Sequence, residues 1–131
     1  MCRERNRQIE VAVPIYISNY CDSNCKICNM RNSNIHFKRK SLSSEEILEQ
    51  LSIIRNIERI SSLLILSGEL NPGRDRKRLI ETVYFTICHA FQMGYKKIGL
   101  NIGSLSNEEM IFLYDSIPVD LHANLGLSVF Q

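Results

Sequence analysis

Cys21, Cys25 and Cys28 put three thiols into the eight residues Cys21-Asp22-Ser23-Asn24-Cys25-Lys26-Ile27-Cys28. Three cysteines so close together cannot close a four-ligand structural zinc site by themselves, whereas a [4Fe-4S] cluster held by three thiolates keeps one iron open for a substrate. That open iron is the chemistry the spacing suggests. A Cys3His zinc site completed by His36 is a second reading, but its segment holds no further cysteine pair to close a knuckle. A disulfide framework fits poorly, because five cysteines is an odd count and these three are too crowded to pair without leaving one over.

Around the thiols, Tyr16-Ile17-Ser18-Asn19-Tyr20-Cys21, Asn24, Arg31 and Asn34 resemble the cluster loop of the radical S-adenosylmethionine (radical SAM) enzymes. The branch they resemble contains 2-iminoacetate synthase of thiamine biosynthesis, the aromatic amino acid lyases and biotin synthase. Ile27 and Met30 stand where that branch usually has aromatic residues. The resemblance implies that Cys21, Cys25 and Cys28 bind the cluster, whose open iron chelates S-adenosylmethionine. It also implies reductive cleavage to a 5'-deoxyadenosyl radical, with tyrosine or tryptophan as substrate and flavodoxin or ferredoxin as reductant.

Ser67-Gly68-Glu69 follows a short apolar run and resembles the family's Gly-Gly-Glu motif, which holds the methionyl amine. A glycine lets backbone approach a ligand closely, and a carboxylate can accept a charge-assisted hydrogen bond from an ammonium group. Standing alone, such a tripeptide is an ordinary turn. Asn101 is a further cofactor-binding candidate, at a position where the aromatic lyases often carry an acidic residue. Gln131, after Val129 and Phe130, resembles the segment that approaches the ribose.

The elements that must position these residues are legible as apolar periodicity. Residues 11–18 form a strand pattern, with Pro14 tolerable only near a start or an edge. The long connection from Asn19 to Lys40 carries the cysteines, and long ordered loops are usually functional. Ser43 with Glu46 reads as a capping box, and Leu42 with Ile47 as a hydrophobic staple. Ile47, Leu51, Ile54 and Ile57 continue that helix toward Ser61. Leu63 to Leu66 is a second strand, and residues 74–93 a second helix stopped by Gly94. Lys97 to Ile102 gives a third strand, and Ser106 with Glu109 caps a helix over 107–116. Asn124 to Phe130 reads as a fourth strand.

Alternating strands and helices predict an α/β fold with parallel strands, a partial TIM-type barrel of about four strand-helix units. In such barrels the reactive groups collect at the C-terminal ends of the strands, where Cys21, Ser67-Gly68-Glu69, Asn101 and Gln131 all fall. Residues 1–131 thus resemble the N-terminal portion of one radical SAM core domain. The competing expectations are a fragment or partner subunit that binds a cluster at most, and a zinc-binding module. Open strand edges add the expectation of self-association or of a completing polypeptide.

The remaining features carry less. A chain of 131 residues with 44% hydrophobic content is ordinary for one soluble domain, and a formal net charge of +2 gives no argument for nucleic acid or an anionic membrane. The basic N-terminal segment leads into a strand pattern, not an apolar signal core, so a cytoplasmic protein is expected. His36, His89 and His122 are scattered, Cys88 reads as a small buried hydrophobe, and residues 74–78 read as a solvated helix start.

Overall fold

The computed structural model describes residues 11–115 and 117–127. In chain order these form β1 (Ala12–Ser18), α1 (Ser44–Asn56), β2 (Ser62–Ser67), α2 (Arg74–Gln92), β3 (Lys97–Asn101) and α3 (Asn107–Asp115). A 3-10 helix (Val119–Asn124) then leads into β4 (Leu125–Leu127). All four strands are parallel, in the order β1-β2-β3-β4. The expected partial barrel of strand-helix units is what the chain forms.

The pleat explains which residues are buried. Ile15 and Ile17 of β1 are buried while Pro14 and Tyr16 are exposed, and in β3 Ile98 and Leu100 are buried while Gly99 and Asn101 are not. The buried rows meet Ile47, Leu51 and Ile54 of α1, Leu79, Val83 and Ile87 of α2, and Leu113 of α3 in one core. Each fully buried aliphatic side chain contributes about 1.5–3 kcal/mol by leaving water. The opposite row, in which Tyr16, Leu66 and Asn101 stand in register, turns away from that core. Pro14, which has no N–H to donate, lies in β1 at one edge of the described sheet.

Both capping boxes form. Glu46 N donates to Ser43 Oγ (3.2 Å) and Ser43 N to Glu46 Oε1 (3.3 Å), while Ser106 and Glu109 exchange the same pair of bonds at α3. α2 ends as Gly94 predicts: at φ 90°, Gly94 donates to Phe91 O and Tyr95 to Ala90 O, satisfying the last carbonyls. α1 ends at Asn56, short of the expected Ser61, because Arg59 takes a left-handed conformation (φ 56°) and Ile60 N folds back to Ile54 O. No glycine marks that turn. The 3-10 helix was not expected, and β4 is described only to Leu127, so Val129, Phe130 and Gln131 lie outside the described residues.

Candidate active site

β1 shifts register against β2 between Tyr16 and Ser18, so that Ser18 pairs with Ser67 and also bridges antiparallel to Ser41, their hydroxyls 3.0 Å apart. Irregularities of this kind re-aim a strand end, and here the chain leaves the sheet into the cysteine loop. Asn19 closes the neck of that loop: its N–H donates to Lys40 O, its Nδ2 to Lys38 O, and its Oδ1 accepts from Lys40 N. Arg39 is an internal strut. Its guanidinium donates to the carbonyls of Asn19 (2.6 Å), Met30 (2.6 Å) and Arg31 (2.7 Å), and it lies against the Phe37 ring.

The cysteine turn is held from both sides. Asn32 N donates to Ser23 O and Ser33 N to Asn24 Oδ1, joining the two limbs, while Cys28 N donates to Cys25 O and Arg31 Nη1 to Cys28 O. Asn34 Nδ2 reaches Asn29 O. The motif residues Asn24, Arg31 and Asn34 therefore shape the loop. Cys25 is exposed, Cys21 and Cys28 are half-buried, and all three are free thiols.

The second motif lies directly against the first. A Cβ added to Gly68 would stand 2.2 Å from Tyr20 O and 2.7 Å from Cys21 Cβ, so only a glycine lets β2 end under the loop. Asp22 N donates to Glu69 O (2.8 Å), and Asn71 N donates to Asp22 Oδ2 (2.7 Å). Ser67 Oγ donates to Gly68 O. The Glu69 side chain extends to the β3–α3 loop, where Ser104 N donates to its Oε1 (3.3 Å) and Gly103 leaves room for it. Asn101 ends β3 at the same end of the sheet, in register with Leu66 and half-exposed.

The run 74–78 departs from the expected solvated helix start. Arg76 turns inward and donates to Leu70 O (2.6 Å), to Ser104 O, and to both oxygens of Glu109. It thereby ties the β2–α2 loop to the β3–α3 loop that holds Glu69. Burial pushes the Glu109 carboxyl up, but hydrogen bonds from Arg76 and Ser106 outweigh it and leave the group below its ordinary range. Sequence reasoning also missed Asp22 and Arg39. The only signal was their position, inside the cysteine loop and at its end.

The histidines stay apart from the thiols in their bonding. His36 is exposed, His89 Nδ1 pairs with Phe85 O, and His122 Nε2 with Ile117 O. Cys88 is half-buried in α2, not fully buried as expected. Among the described residues no group of three or more His, Cys, Asp or Glu side chains could share one metal ion. A cubane cluster does not need such convergence, since each thiolate binds its own iron. Three free thiols on one braced loop are a donor set that fits it.

No protein-family model and no curated protein matches this sequence. Solved structures do. A crystal structure of HydG, a maturase of the [FeFe]-hydrogenase, aligns over 78% of this chain with TM-score 0.65 and 24% identity. HydG from Carboxydothermus hydrogenoformans aligns over 81% of the chain with TM-score 0.68 and 25% identity. This chain has the radical SAM fold. It spans 22% and 24% of the length of those two chains. Within the radical SAM fold, a partial barrel of four parallel strands carries the cysteine loop at the C-terminal end of β1. No helix among the described residues is long and apolar enough to cross a membrane.

Proposed function

We propose that Cys21, Cys25 and Cys28 hold a [4Fe-4S] cluster and that Ser67-Gly68-Glu69, with Asn101 and Gln131, binds S-adenosylmethionine. The observation that supports this most is the contact of the two motifs, Cys21 on Gly68 and Asp22 on Glu69. Such a cluster, when bound, supplies the electron that splits S-adenosylmethionine into methionine and a 5'-deoxyadenosyl radical. The chain's own part is positioning. Gly68 keeps the backbone of β2 close to the cysteine loop. Glu69, steadied by Ser104 N–H, accepts a hydrogen bond from the methionyl ammonium. Arg39 and Asn19 hold the loop's shape so that the thiolates need not be gathered at each binding event.

By resemblance the substrate is an aromatic amino acid, tyrosine or tryptophan, and the setting a reducing, cytoplasmic one. The sheet face bearing Tyr16, Leu66 and Asn101 would have to be walled in for a carbon radical to be shielded from water and oxygen. Further polypeptide, on the same chain or a second one, supplies that wall in this reading. The 131 residues alone are then expected to self-associate or recruit it, and to cleave S-adenosylmethionine slowly without converting tyrosine or tryptophan. Anaerobic sizing with a product assay checks this, and a monomer giving one 5'-deoxyadenosine per product would contradict it.

The test of the main reading is anaerobic reconstitution with iron and sulfide, followed by electron paramagnetic resonance with and without S-adenosylmethionine. About four irons per chain are expected, lost on Cys25→Ala, with a spectrum that changes when S-adenosylmethionine is added. Stoichiometric zinc without sulfide would instead identify a zinc module.

A further inference from the structure

Two connections meet where β2 ends: the cysteine loop, and the turn from Gly68 to Gly73 that leads into α2. That turn has few holds of its own. Asn71 is followed by Pro72, which has no N–H to donate, and Gly73 at the N-cap of α2 makes no side-chain capping bond. Among the described residues two side chains grip it. Arg76 donates to Leu70 O and to Ser104 O, which refers the turn to the β3–α3 loop. The Asp22 carboxylate accepts from Asn71 N at 2.7 Å, which refers it to the cysteine loop.

Asp22 directly follows Cys21 and meets the turn twice, since its N–H also donates to Glu69 O at 2.8 Å. Together with the close approach of Gly68 to Tyr20 and Cys21, these bonds attach the cysteine loop at residues 68, 69 and 71. A single hydrogen bond lets a loop pivot, whereas contacts spread along a turn fix its orientation. The Glu69 bond uses the Asp22 backbone and would outlast a change of side chain. The Asn71 bond depends on the carboxylate alone. Asp22 is exposed, so core packing does not account for an acidic residue there, and its bond to Asn71 is charge-assisted. The Glu69 carboxylate is otherwise steadied by a long bond from Ser104 N, at 3.3 Å.

We infer that Asp22 is a positioning residue, which holds Glu69 in a fixed relation to Cys21 and thereby sets how well S-adenosylmethionine is bound. The inference rests on the proposed function and adds to it a side chain that acts neither as an iron ligand nor as a cofactor contact. In that reading one ligand has to meet both motifs at once. Their spacing must therefore match a molecule of fixed size, and a small displacement is costly.

The experiment compares Asp22→Ala with Asp22→Asn in the full chain. Both remove the charge, but asparagine keeps an acceptor oxygen for Asn71 N. After reconstitution with iron and sulfide, Asp22→Ala should bind S-adenosylmethionine about threefold to tenfold more weakly, the worth of one hydrogen bond, and Asp22→Asn should recover most of that loss. Asp22→Ala added to Glu69→Ala should cost little further, because a residue that acts through Glu69 then has nothing to position. Asp75→Ala, which removes another exposed carboxylate from the cavity that Asp22 lines, should bind as the parent does. Before iron is added, iodoacetamide should alkylate half-buried Cys21 faster in Asp22→Ala than in Asp22→Asn, with exposed Cys25 as the reference site.

Equal affinity of Asp22→Ala and Asp22→Asn, an additive double variant, or the same loss from Asp75→Ala overturns the inference. If the parent takes up no iron while the Cys21 rates differ as stated, the cluster reading fails and the tie between the two motifs stands. If it loads about four irons and binds S-adenosylmethionine while both Asp22 variants match it, only the role of Asp22 is refuted.

Discussion

Gly68 lies against Cys21 so closely that its missing side chain is part of the site: a Cβ there would stand 2.7 Å from Cys21 Cβ. Gly68→Ala therefore has to displace either the end of β2 or the first cysteine. Crowding of this kind costs about 1–3 kcal/mol when a packed neighbour must move. The expected outcome is a lower melting temperature together with fewer irons retained after desalting of reconstituted protein. Normal iron retention would mean that the loop shifts freely and that the contact does not set the position of Cys21.

Glu69 is tied by its side chain to Ser104 N and by its carbonyl to Asp22 N, so its carboxylate can be removed while the backbone link remains. Glu69→Ala is expected to weaken S-adenosylmethionine about tenfold to a hundredfold, the equivalent of a charge-assisted hydrogen bond of roughly 1.5–3 kcal/mol. The cluster content should not change. Equilibrium binding to reconstituted protein reads the first quantity and iron analysis the second. Unchanged affinity would reduce Glu69 to a turn residue.

What the sequence disclosed follows from which forces are local. Capping boxes at Ser43 and Ser106, the Gly94 stop and the strand periodicities depend on neighbours within a few residues, and the structure repeats them. The end of α1 was misplaced because Arg59 adopts a left-handed conformation without a glycine to signal it. Arg76 was misread for a different reason. Its partners Leu70, Ser104 and Glu109 come from three separate segments, and nothing in the run 74–78 distinguishes the one arginine that turns inward.

Tyr95, in the connection between α2 and β3, is tied to α1 through a buried hydroxyl that donates to Leu51 O at 2.7 Å. Burial pushes its pKa from 10.0 up to about 12, against the opposing influence of the Arg55 charge. The folded state thus favours the neutral phenol, and its contribution is complete below pH 10.0 and lost as pH rises through about 12. Tyr95→Phe is expected to cost about 0.5–1.5 kcal/mol at neutral pH. Melting temperatures of the two proteins should converge between pH 10 and 12. A constant gap over that range would show that the hydroxyl does not titrate with folding.

Arg76 and Glu109 provide the acid-side counterpart, with a consequence for the site. The folded state holds Glu109 below its ordinary value of 4.5, so the ion pair contributes above that pH and its contribution fades as pH falls through the lowered value. Glu109→Gln should therefore melt below the parent protein at pH 7 and approach it as the solution is acidified. Arg76→Met should cost more, because it also leaves the Leu70 and Ser104 carbonyls without their donor. Through Ser104 it loosens the β3–α3 loop that steadies Glu69, so weaker S-adenosylmethionine binding is expected as well. Thermal melts from pH 3 to 7, paired with binding at pH 7, separate the two effects. If Arg76→Met lowers stability but leaves affinity at the parent value, the clasp supports the fold and the Ser104 contact is not what positions Glu69.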